Sequence, residues 1–160
     1  QQFFTSTNSV KLPWYAKEKA RAGAFATFLG VRVNFSHGNF YWSAVACGDT
    51  CVMHVSGGRL QKSFPLANPE EFGNRPWLVS SNVGAPLPTL SLISRQACKP
   101  GDVLLLVTDA LAAWILQDQE QRLTKIMECR SDESFKTLLS SERVASTLKN
   151  DDATALRYRV

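Results

Sequence analysis

An α+β fold, with strands and helices segregated along the chain, is what this sequence predicts. Three observations carry the expectation. Segments rich in β-branched and aromatic residues fill most of residues 24–66 and 90–107. Helical periodicity is concentrated in residues 110–147, and the chain closes on one alternating segment, Ala153 to Val160. Strands in series followed by helices in series make a layered α+β domain rather than a doubly wound parallel sheet. The 160 residues suit one domain, 1–160, and the 44% hydrophobic content is enough for a core.

Each element has its own local reason. Residues 1–13 are polar and irregular and read as a tail or linker. Trp14 to Ala22 is rich in Ala, Lys, Glu and Arg, and Gly23 follows it, which suits a short helix. Ala24 to Phe35 and Phe40 to Cys47 are β-forming runs separated by the turn signal His37-Gly38-Asn39, so they form an antiparallel hairpin. Gly48-Asp49-Thr50 interrupts the run. Cys51 to Val55 resumes it, Ser56-Gly57-Gly58 turns it, and Arg59 to Leu66 returns. Residues 67–89 hold Pro69, Gly73, Pro76, Gly84, Pro86 and Pro88, which exclude long elements apart from a short one within Pro76 to Ser81. Leu90 to Ala97 is a strand. Val103 to Val107 is a continuous apolar run, expected to be buried on both faces. Helices follow at Ala110 to Ile115, at about 118–128 and at about 132–147, and Asn150-Asp151-Asp152 breaks the last before the closing strand.

Charge and cysteine usage narrow the function classes. The net charge is +4 and the basic residues are scattered, whereas a nucleic-acid groove needs clustered charge, so no nucleic-acid partner is expected. The mild positive balance suits an anionic, phosphorylated substrate. No apolar run approaches the ~20 residues of a membrane span, and no membrane partner is expected. The four cysteines form no CxxC pair and only two histidines exist, a pattern that does not suggest zinc. Buried free thiols of a reducing compartment, and hence a cytoplasmic location, are the expectation. A weaker alternative is redox control through Cys47 and Cys51, which flank the Gly-Asp turn. The opening Gln1-Gln2-Phe3-Phe4 lacks an initiator Met, which suits a processed product or part of a longer protein.

Three acidic turns interrupt apolar strands. Taken singly, each carboxylate has a plain structural reading. Asp109, after five apolar residues and before a helix, reads as an N-cap stabilising that helix by ~1 kcal/mol. Asp151 and Asp152 read as a solvated turn, and Asp49 as a Gly-Asp turn residue. Together they offer oxygen ligands from several elements, which is what hard cations such as Mg²⁺ and Mn²⁺ take.

The same segments carry a family resemblance. Ala44-Val45-Ala46-Cys47-Gly48-Asp49-Thr50 resembles the strand-GDS motif of the metal-dependent type 2C serine/threonine protein phosphatases. Gly101-Asp102 through Val107-Thr108-Asp109-Ala110-Leu111 resembles their GD-strand-SDG-helix motif. Asn150-Asp151-Asp152-Ala153-Thr154 resembles the DN-x-T start of their last strand, and Gly23-Ala24-Phe25-Ala26-Thr27 their GTT opening. The order holds over residues 22–160, so the chain is similar to the C-terminal two-thirds of the family. The resemblance implies two packed, mainly antiparallel sheets flanked by helices. It implies a centre of two or more Mg²⁺ or Mn²⁺ ions held by Asp109 and Asp151, with Asp49 on a third, weaker one. It implies hydrolysis of phosphoserine or phosphothreonine in a phosphorylated protein substrate by metal-activated water.

Departures accompany the match. Ala110 stands for the SDG glycine, Asp152 for the DN asparagine and Cys51 for the arginine that often follows GDS, and residues 1–21 hold no counterpart of the family's early acidic motifs. Asp151 is preferred to Asp152 as ligand from the motif register. These departures leave a second expectation open, a non-catalytic, phosphatase-like regulatory or interaction module. They also imply uncovered sheet edges, to be met by a missing N-terminal segment or a second copy.

Overall fold

The computed structural model describes residues 13–160 apart from Asn74 and Val83, so the tail expected at 1–13 lies, but for Pro13, outside the described residues. Helix α1 (Trp14–Ala22) precedes strands β1 (Phe25–Ala26), β2 (Phe28–Ser36), β3 (Asn39–Cys47), β4 (Cys51–Ser56) and β5 (Arg59–Phe64). A 3₁₀ turn (Pro69–Glu71), β6 (Val79–Ser80), β7 (Ser91–Cys98) and β8 (Val103–Val107) follow. Then come α2 (Asp109–Gln117), α3 (Gln119–Glu128), α4 (Asp132–Val144) and β9 (Ala155–Arg159). This is the expected α+β order.

Two antiparallel sheets make the body, in orders β2-β3-β7 and β5-β4-β8-β9, and β1 pairs with β6 in a separate ribbon. Period-two alternation decides which side chains meet which layer. From β4 and β8, Cys51, Met53, Val55, Val103, Leu105 and Val107 face α2, α3 and α4, where they bury Leu111, Trp114, Ile115, Leu123 and Ile126. Val52 and Leu104 face the opposite way and meet Trp42, Ala44 and Ala46 of β3, with Leu29, Val31 and Ile93 around them. The run 103–107 is therefore buried on both faces because it is the shared wall of two cores. Each fully buried Leu or Ile there stabilises by about 1.5–3 kcal/mol relative to exposure.

The helices cover only one outer face among the described residues. The other, on the three-stranded sheet, leaves Phe28 and Leu92 exposed. β9 ends the four-stranded sheet, and its Arg157 reaches across to donate to the carbonyls of Ile126 and Cys129 at the end of α3 (2.7 and 3.3 Å), where a cation also suits the helix dipole.

Two element ends differ from expectation. α4 stops at Val144, short of 147, because Ser146 takes a positive φ of 57° and the N–H groups of Thr147 and Leu148 both return to the Glu142 carbonyl (3.0 and 3.2 Å). Asp109 is not an N-cap. Thr108 holds that position in extended conformation, and Asp109 is the first residue inside α2.

Candidate metal centre

Strand register puts the three acidic turns at one end of the four-stranded sheet. Cys51 of β4 pairs with Val107 of β8, and Val107 with Ala155 of β9. Asp49 comes just before the first of these strands, Asp109 just after the second and Asp151 just before the third. Antiparallel neighbours thus deliver three carboxylates, far apart in sequence, to one cleft of about 330 Å³.

The Gly48-Asp49-Thr50 turn carries the chain from one sheet to the other, since β3 and β4 belong to different sheets. Gly48 has φ +99°, and a Cβ there would lie 2.6 Å from Thr27 Cγ2 and 2.9 Å from the Trp77 carbonyl oxygen. Only glycine lets the turn pass beneath Thr27, whose hydroxyl lies 2.9 Å from that of Thr50. Asp49 is held 7% exposed as a result. Desolvation first, and then the charge of Asp109, push its carboxyl above the ordinary carboxylate value.

The loop before β9 is tied from three sides. Thr108 donates from its hydroxyl to the Asp152 carbonyl (3.2 Å) and accepts from the Thr154 N–H (3.1 Å). Arg143 donates to the Asp151 carbonyl. The Asp151 carboxylate accepts from the Asp152 N–H (2.9 Å) and lies 3.3 Å from Lys149 Nζ. The Asp152 N–H first, and then Lys149, hold the Asp151 carboxyl below its usual range. Asp151 lines the cleft. Its neighbour Asp152 is exposed and is held there through its backbone carbonyl.

Oxygen donors of this kind fit a hard divalent cation. Among the described residues no three His, Cys, Asp or Glu side chains close on one point, so they cannot fill an ion's shell unaided. One or two of these carboxylates could hold such a cation only with water or phosphate oxygens completing its shell. Sequence reasoning missed Lys149 and Arg143. The first adjoins the acidic turn and is visible there. Arg143 acts across eight residues through a helix-terminal turn that no local pattern announces.

The cysteines take no part. Cys47 and Cys51 are buried free thiols, and burial pushes Cys51 up to about 12. That argues against the redox alternative, which needs an accessible thiolate. His54 belongs elsewhere too. It sits at the far end of the sheet, its Nε2 2.8 Å from the buried carboxylate of Asp102.

No protein-family model matches the chain, and no curated protein sequence matches it. One solved structure, that of the photosystem II phosphatase PBCP, is similar in fold: TM-score 0.50 and 15% sequence identity, over 80% of this chain and 49% of that one. The chain thus spans about half that neighbour's length. The likeness supports a type 2C phosphatase-like fold.

Proposed function

We propose that this chain is a metal-dependent protein phosphatase domain acting on phosphoserine or phosphothreonine. Asp109 and Asp151 are its principal ligands for Mg²⁺ or Mn²⁺, and Asp49 serves a further ion. The observation that carries this reading is the convergence of the three acidic turns on one cleft through strand register. The similarity in fold to a phosphatase agrees with it. Bound ions supply a water of lowered pKa and a countercharge for phosphate.

The chain's own residues do the positioning. The Asp152 N–H orients the Asp151 carboxylate, and Arg143 fixes the backbone beneath it. Asp49 is disfavoured as an anion by burial and by Asp109, and a cation in the cleft relieves both effects. The hydroxyls of Thr27, Thr50 and Thr108 edge the cleft as neutral hydrogen-bonding groups for phosphate or ordered water. The remaining ligands come from water, from substrate and from a covering segment or a second copy.

Ala110, Cys51 and the lack, among the described residues, of a self-sufficient ligand trio favour the second reading, a non-catalytic phosphatase-like module. Phosphate release from a phosphothreonine peptide separates the two. Turnover with Mn²⁺ that is abolished by a chelator and by Asp109→Asn supports the phosphatase. Absence of turnover at saturating Mn²⁺ leaves the module.

A further inference from the structure

Lys149 is a cation placed among the carboxylates by the loop that presents Asp151. The Asp151 N–H returns to the Lys149 carbonyl (3.0 Å), so the two residues share one tight turn. That turn holds Nζ 3.3 Å from Asp151 Oδ2 and sets Lys149 in the wall of the same cleft as Asp49 and Asp109. The same side chain borders a second cleft of about 240 Å³ beside Phe72, Trp114 and Thr147. With 64% of its side chain exposed, it has room to swing there.

A solvated surface ion pair is the plain alternative, and isolated exposed pairs stabilise a fold little. Here the pair has a second consequence. Asp49 and Asp109 share the cleft with Asp151, and the cation the loop supplies contacts Asp151 in the wall of that same cleft. We propose that Lys149 is a built-in counter-ion of the carboxylate cleft, competing with divalent cations for it and raising the metal concentration at which the site fills. This rests on the reading of the cleft as a metal site. Metal entry displaces the ammonium from Asp151, and the neighbouring cleft receives it.

Calorimetric titration of the chain with Mn²⁺ tests this on the wild type, Lys149→Met and Lys149→Arg. Met keeps the length of the side chain and removes the charge, whereas Arg keeps the charge. Lys149→Met should bind Mn²⁺ about fivefold more tightly at unchanged stoichiometry. Lys149→Arg should match the wild type, and added NaCl should narrow the gap between Met and wild type. Equal or weaker binding by Lys149→Met overturns the counter-ion role while the metal site stands. Lack of Mn²⁺ binding in the wild type and both variants overturns the metal site and the counter-ion together.

Discussion

Replacing Gly48 with Ala puts one methyl group into the turn that joins the two sheets. At φ +99° an L-residue is strained, a penalty of about 1–2 kcal/mol. The methyl would also lie 2.6 Å from Thr27 Cγ2 and 2.9 Å from the Trp77 carbonyl, so β1, its following residue or the 67–89 segment must move. Overpacking of this sort adds about 1–3 kcal/mol. Gly58 is the internal control. It too has positive φ, +76°, but a Cβ there meets nothing within 4 Å. Gly58→Ala therefore carries the conformational penalty alone. Urea denaturation should show Gly48→Ala destabilised by about 3 kcal/mol and Gly58→Ala by about 1 kcal/mol. The first should lower Tm by roughly 6–12 °C. Equal losses for the two variants would refute the claim that Thr27 and Trp77 clamp the Asp49 turn.

Two buried carboxylates should respond to pH with opposite signs. Asp49 has a folded-state value above its unfolded one, so the folded state keeps the proton longer and stability falls as pH rises from 3.8 through the raised value. Asp49→Asn should remove that slope and stabilise the metal-free protein at pH 7. For Asp102, desolvation is outweighed by hydrogen bonds from Ser56, His54 and the Lys99 N–H, and the net shift is downward. Its stabilisation is complete above the unfolded value of 3.8 and is lost as pH falls through the depressed one, so the penalty of Asp102→Asn should shrink in acid. Matching slopes in pH-dependent melts of the two variants would contradict these assignments. In native-state alkylation with iodoacetamide, Cys129 should react well before the buried Cys47 and Cys51. Rapid labelling of Cys51, or a Cys47–Cys51 disulfide under mild oxidant, would restore the redox alternative.

Much of the frame was legible in the chain. Gly/Asn turns between β-branched runs mark the hairpin, because strand and turn chemistry are local. The apolar run 103–107 announces a strand with two covered faces, and the structure supplies both covers. The ends of elements were less legible. α4 stops short of 147 because Ser146 takes a positive φ and the Thr147 and Leu148 N–H groups fold back onto the Glu142 carbonyl, and Thr108 rather than Asp109 takes the N-cap position, with its hydroxyl engaged by the loop before β9. Asp49, Asp109 and Asp151 could be named as candidates from their turns. Their convergence depends on antiparallel register, a non-local property that a single sequence does not print. Lys149 went unseen for a related reason: it adjoins the acidic turn in sequence, but only the fold shows which cleft it enters.

Asp109 and Asp151 are the proposed principal metal ligands. Calorimetric titration with Mn²⁺ of the wild type against the Asp109→Asn, Asp151→Asn double variant tests that most directly. Loss of Mn²⁺ binding in a variant that still unfolds cooperatively is the predicted result. Unchanged Mn²⁺ affinity would contradict it and return both residues to helix-start and turn duty.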